Sequence, residues 1–176
     1  MTVKQRDRRQ EILDRLWVIL SALTVNLAGG PNGPVQIKAG SIVRNRNDLQ
    51  ADKTPGMIIL DADEVKDPTK LQLPRGITET RMPAQMMKMT PEIYIVMDVR
   101  PVGNPNMGQD LNTARLAVLN AIMTDTQLQE IVGSNGGITY DGCVTDLARN
   151  RTMKGQLGMS VTFSYPLIVA EYTTTG

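Results

Sequence analysis

The chain has no histidine and a single cysteine, Cys143. The first absence removes the commonest general base and the commonest metal-binding side chain. The second rules out an intramolecular disulfide. Aromatic residues make up only 3% of the sequence, too few for a surface that stacks single-stranded bases. A net charge of +1 provides no overall field to recruit nucleic acid or a membrane surface. No apolar run approaches the about 20 residues needed to span a bilayer.

Against these gaps stands a long alternation. From Leu157 to Val169 every odd position is apolar: Leu157, Met159, Val161, Phe163, Tyr165, Leu167 and Val169. The even positions begin Gly158, Ser160, Thr162, Ser164, small and mostly polar. Period two over this length predicts a long strand with one face on a core. Such a strand in a histidine-free chain points to a structural or assembly module rather than an enzyme.

At 176 residues the chain reads as one domain, 1–176, able to bury a core without disulfide or metal. Residues 4–23 are expected to form an amphipathic helix on Ile12, Leu13, Leu16, Trp17, Leu20 and Leu23. Its half from Leu16 to Ala22 is apolar nearly all round and is expected to pack on two sides. Lys4, Arg6, Arg8 and Arg9 ahead of this run superficially resemble a secretory signal. Asp7, Glu11 and Asp14 interrupt the basic region, however, and the apolar residues keep helical spacing.

The glycines and prolines of 29–34 predict a loop, within a longer one over 26–40. Strands are expected at Ser41–Asn45, Met57–Leu60, Glu92–Val99, Ile138–Leu147 and Leu157–Val169. Residues 64–89 read as a second long loop. A helix is expected from about Asp110 as N-cap, with Leu111, Ala114, Val118, Leu119 and Ile122 buried. A short helix should follow the capping box Thr124-x-x-Gln127 and stop at Gly133. This order implies an α+β fold: a largely antiparallel sheet of about five strands, with two main helices packed on one face. The expected core face carries Ile93, Ile95, Met97, Val161, Phe163 and Tyr165, covered by Leu111, Val118 and Ile122.

Candidate chemistry fails on inspection. Gly103 to Gly108 has phosphate-loop spacing, but Gln109 and Asp110 stand where Lys and Ser or Thr are needed. A carboxylate there competes with any anion at the helix N-terminus. Asp61, Asp63, Glu64 and Asp67 cluster like a calcium loop, yet Val65 and Lys66 break the pattern, leaving a solvated acidic loop. Cys143 lacks a histidine to activate it and is expected to be a half-buried strand residue. Arg6, Arg8 and Arg9 are placed on the solvated face of the first helix. No catalytic residue, metal or organic cofactor is expected.

Three segments stand out together: Ile42-Val-Arg-Asn-Arg-Asn-Asp48, Met89-Thr-Pro-Glu-Ile-Tyr-Ile95 and Tyr140-Asp-Gly-Cys-Val-Thr-Asp-Leu-Ala-Arg149. In this order, with helices between them, they resemble the tail terminator (tail completion) proteins of long-tailed bacteriophages and related prophages. The similarity covers about residues 5–172. The Gly29–Pro34 insertion and the 64–83 stretch depart from the most compact members. The resemblance implies a virion subunit, assembled in the host cytoplasm, that forms a hexameric ring on the last tail-tube ring. There it would end tube growth and face the head-side neck or stopper protein, while DNA passes the lumen without sequence-specific binding. A tail-tube subunit or a head–tail connector would share the same general features. Candidate subunit-interface residues are Met82, Met86, Met87 and Met89, with Arg149, Arg151 and Met153 between the last two strands. No membrane association is expected.

Overall fold

The computed structural model describes residues 2–68, 85–98, 105–146, 154–167 and 172–175. In chain order these form β1 (Thr2–Gln5), α1 (Arg8–Ala22), the hairpin β2 (Val25–Gly30) and β3 (Gly33–Ile37), β4 (Ile42–Arg44) and β5 (Gly56–Leu60). Then come β6 (Glu64–Lys66), β7 (Gln85–Met89), β8 (Glu92–Asp98), α2 (Met107–Met123) and α3 (Thr126–Val132). β9 (Gly137–Asp146), β10 (Lys154–Leu167) and β11 (Tyr172–Thr175) complete the chain. The fold is α+β; among the described residues the principal sheet has seven strands, mostly antiparallel, and only β4 and β5 run parallel.

Those seven strands stack into five columns. β10 pairs with β8 over Lys154–Ser160 and, in unbroken register, with β7 over Phe163–Leu167. β7 and β8 are therefore one strand line interrupted at Thr90-Pro91, where a proline cannot donate a ladder hydrogen bond. On the far side of that line β5 pairs with β8 and β6 with β7, so these two lie end to end. β4 flanks β5, and β9 flanks β10 as the opposite edge. The predicted sheet of about five strands corresponds to these columns. The 64–89 segment, predicted as loop, contributes β6 and β7 at its two ends.

The alternation on β10 is realised: Leu157, Met159, Val161, Phe163 and Tyr165 are all buried. They share one core with Ile93, Ile95 and Met97 of β8, with Leu111, Val118 and Ile122 of α2, and with Ile12, Leu16 and Leu20 of α1. On the other face a small second cluster of Val43, Leu49, Ile58 and Val96 covers the β4–β5–β8 end. β5 is thus apolar on both faces because both are covered.

Several boundaries differ from expectation. α1 starts at Arg8, capped by Asp7 whose carboxylate accepts from the Gln10 amide at 3.0 Å. The residues before it pair instead with β11. Val18 is 52% exposed, so the second half of α1 packs on one side only. Residues 25–37 are a paired hairpin rather than a loop. α2 begins three residues ahead of Asp110, with Asn106 as N-cap. Asp110 is instead buried in the first turn, accepting from the Ala28 and Gly29 amides at 2.8 and 3.0 Å. Asn106 adds a bond from Nδ2 to the Gly29 carbonyl at 2.8 Å. Gly29 has φ +73°, and a Cβ there would collide with the Gly33 backbone, so the hairpin bend requires glycine. α3 is capped by Asp125 rather than Thr124, and it ends at Gly133 as predicted.

Candidate subunit interface

Two of the four methionines proposed as a contact surface lie inside the subunit. Met86 and Met89 are 3% and 0% exposed, enclosed within the subunit by strand pairing between β6 and β10. They have no surface to offer a neighbour, which corrects the reading of both as interface residues. Met87 is half-buried against the same core. Met82, Arg149, Arg151 and Met153 lie outside the described residues.

The acidic cluster is dispersed among separate partners. Asp61 accepts both arms of the Arg44 guanidinium at 2.8 and 2.9 Å, and the Asn45 amide at 3.1 Å. Asn45 sits at φ 53° and also accepts from the Asp61 amide at 2.9 Å, closing a two-way clasp. Burial works to raise the Asp61 pKa, but the Arg44 and Asn45 bonds outweigh it and hold the carboxylate below its ordinary value. Glu64 accepts from the Tyr165 hydroxyl at 2.6 Å, and buried Asp67 accepts from Ser164 at 2.8 Å. Burial first, and the Glu64 acceptor second, push the Tyr165 phenol well above its usual range, so it remains a donor. Among the described residues no three carboxylate or thiol groups converge on a metal-sized site.

The arginines at the start of α1 and just before it are partly buried and bonded to the fold rather than lying on a solvated face. Arg6 pairs with Glu11 at 3.0 Å, Arg8 donates to the Ile131 carbonyl, and Arg9 donates to the Ala62 carbonyl at 2.7 Å. Arg15 forms a fork with Asp125 at 3.1 and 2.6 Å, tying α1 to the cap of α3. That hydrogen bond, partly opposed by burial, lowers the Asp125 pKa.

Among the described residues β9 forms one edge of the principal sheet. Its ten residues pair only with β10 among the described residues, so its second edge carries unpaired backbone groups. Cys143 is exposed there, not half-buried as expected, because β9 runs past the cover of the helices. Val144 is 79% exposed on the opposite face. A bulge at Asp141 shifts the register between Val161 and Ser160. Asp141 accepts from the Thr162 hydroxyl at 2.6 Å, which aims its side chain across the helix-free face. Beside it Tyr94 lies over Gly158, where a Cβ would come within 2.9 Å of the ring. Glu92, Tyr94, Val144, Gln156 and Ser160 line an open groove of ≈ 250 Å³ on that face.

Each of the three segments singled out in the sequence contributes described residues to the principal sheet. The first supplies β4 and the Arg44–Asn45 clasp, the second the β7–β8 junction, and the third β9. What sequence reasoning missed was the free edge of β9, since edge and centre strands share the same periodicity. No protein-family model and no curated protein matches this chain.

Proposed function

We propose that this chain is a virion structural subunit of the tail-terminator type. It would form a ring, of six subunits by the resemblance, that caps a phage tail tube. One face would meet the last tube ring and the other the head-side neck or stopper protein, with DNA passing through the lumen. The observation that carries the reading is the ordered set of three segments, 42–48, 89–95 and 140–149, that resembles tail terminators. Support comes from their placement as parts of one sheet under a single helical layer. The engaged carboxylates and arginines support a scaffold over an active site, because their hydrogen bonds go to the fold itself.

Electron microscopy of the purified protein tests this directly. Discrete rings that bind tail tubes at one end, and hold tubes at fixed length when present during growth, are the expected result. Long tubes from the protein alone would favour a tail-tube subunit. Monomers at all concentrations would overturn the ring.

A further inference from the structure

We propose that the groove bounded by Glu92, Tyr94 and Val144 on the helix-free face seats Arg46 of a neighbouring copy of this chain. The proposal rests on the ring reading above and names one contact within the ring.

The helix-free face is covered over one part only. At the β4–β5–β8 end Leu49 lies in the cluster with Val43, Ile58 and Val96, and Tyr94 packs against the border of that cluster. On its other side Tyr94 lines the open groove, which continues across Gly158 of β10 to Val144 of β9. No cation lines this groove. Its charged group is the exposed Glu92 carboxylate, which accepts from the Tyr94 hydroxyl at 2.6 Å through Oε2. Oε1 has no partner among the described residues. A free carboxylate oxygen beside an aromatic ring suits a guanidinium, which is planar, stacks on rings and forks onto carboxylates. The exposed Gln156 and the Ser160 hydroxyl on the same groove add polar groups at its rim.

One arginine among the described residues is available for it. Arg6, Arg8, Arg9, Arg15, Arg44 and Arg115 are each bonded within their own chain. Arg46 is exposed and makes no hydrogen bond or ion pair there. The other exposed cations fit less well. Lys38 lines a separate cleft together with Asp52. Lys66 stands opposite Met87, and through it Tyr165, which places it on the helix side of the sheet.

Placement agrees with a contact between copies. Arg46 follows β4 by two residues, and β4 and β9 are opposite ends of the strand path β4-β5-β8-β10-β9. A junction of Arg46 with the next copy's groove therefore uses two different patches, as head-to-tail closure requires.

Charge reversal and cross-linking test the contact. Arg46→Glu and Glu92→Arg should each leave circular dichroism unchanged and move assembly, read by light scattering, to about tenfold higher concentration or beyond. The double variant, with both reversals in one chain, should assemble again, because every junction then pairs opposite charges. In a Cys143→Ser background, chains with Asn47→Cys mixed with chains carrying Gln156→Cys should form a disulfide-linked pair under mild oxidation. Assembly weakened by Glu92→Arg but untouched by Arg46→Glu would overturn Arg46 as the occupant. Native rings with no effect of either reversal and no cross-link would overturn the contact while leaving the ring. A two-fold dimer using both sites at one interface would overturn the head-to-tail arrangement. A native protein that never forms rings would overturn the ring reading and this contact with it.

Discussion

Asp110 shows how one side chain can hold two elements in place. Its buried carboxylate receives two backbone amides from the β2–β3 bend, so the hairpin is fixed to the first turn of α2. Asp110→Ala would leave those amides without their acceptor. About 1.5–3 kcal/mol of stability should be lost, the usual range for hydrogen bonds to a charged group. Faster hydrogen exchange at Ala28 and Gly29 would locate the effect, and unchanged exchange there would count against it. Phe163 is the contrasting case, fully buried between β7 and β9 on the core face of β10. Phe163→Ala should cost roughly 3–5 kcal/mol in denaturant unfolding, through lost burial and a residual cavity. Gly56 is limited by space: a Cβ there would meet the Lys53 and Ser41 carbonyl oxygens, both backbone atoms that cannot swing away. Gly56→Ala should therefore destabilise more than Gly158→Ala, whose Cβ meets only the movable ring of Tyr94.

Between elements, two of the ties are arginine–carboxylate forks, and these contribute to the response to acid. Asp125 both caps α3 and pairs with Arg15, and its folded-state pKa lies below the ordinary carboxylate value. A depressed pKa contributes stability above the unfolded value, about 3.9, and loses it as pH falls through the lower folded value. The same sign holds for Asp61 in the Arg44 clasp. Unfolding should thus become easier below about pH 4. In Asp125→Ala that acid dependence should be shallower and the neutral-pH stability lower by roughly 1–2 kcal/mol, the size of a lost N-cap. An acid profile identical to the native one would show that the fork contributes nothing. The core stripes of α1, α2 and β10 were legible in the sequence because a buried face repeats with the period of its element. The start of α2, the Asp125 cap and the β2–β3 hairpin were not, since Asp and Gly suit caps, turns and bends alike until tertiary partners choose among them. β7 was hidden for a related reason: Met86 and Met89 are spaced like neither a strand nor a loop, and only pairing on both sides makes them core. Among the interface candidates, composition could mark methionine as adaptable but could not tell a buried methionine from an exposed one.

For the whole molecule, the consequence of a ring is that folding and assembly share one free energy. If native subunits are stabilised by neighbours, dilution weakens the folded state by mass action. In a ring of several copies, a tenfold dilution removes a little over 1 kcal/mol per subunit, on the order of RT times the logarithm of the dilution. For a chain of this size each kcal/mol shifts Tm by about 2–4 °C. The native protein should therefore melt about 2–5 °C lower for each tenfold dilution across the range where rings dissociate. The near-neutral charge of +1 keeps general repulsion between copies small, so added salt should change any association between copies only modestly. A native Tm that does not change with concentration, measured across dilutions where light scattering sees the mass fall, would mean that subunits gain no stability from one another. The assembled state would then have to be held by other components of the particle rather than by contacts between copies of this chain.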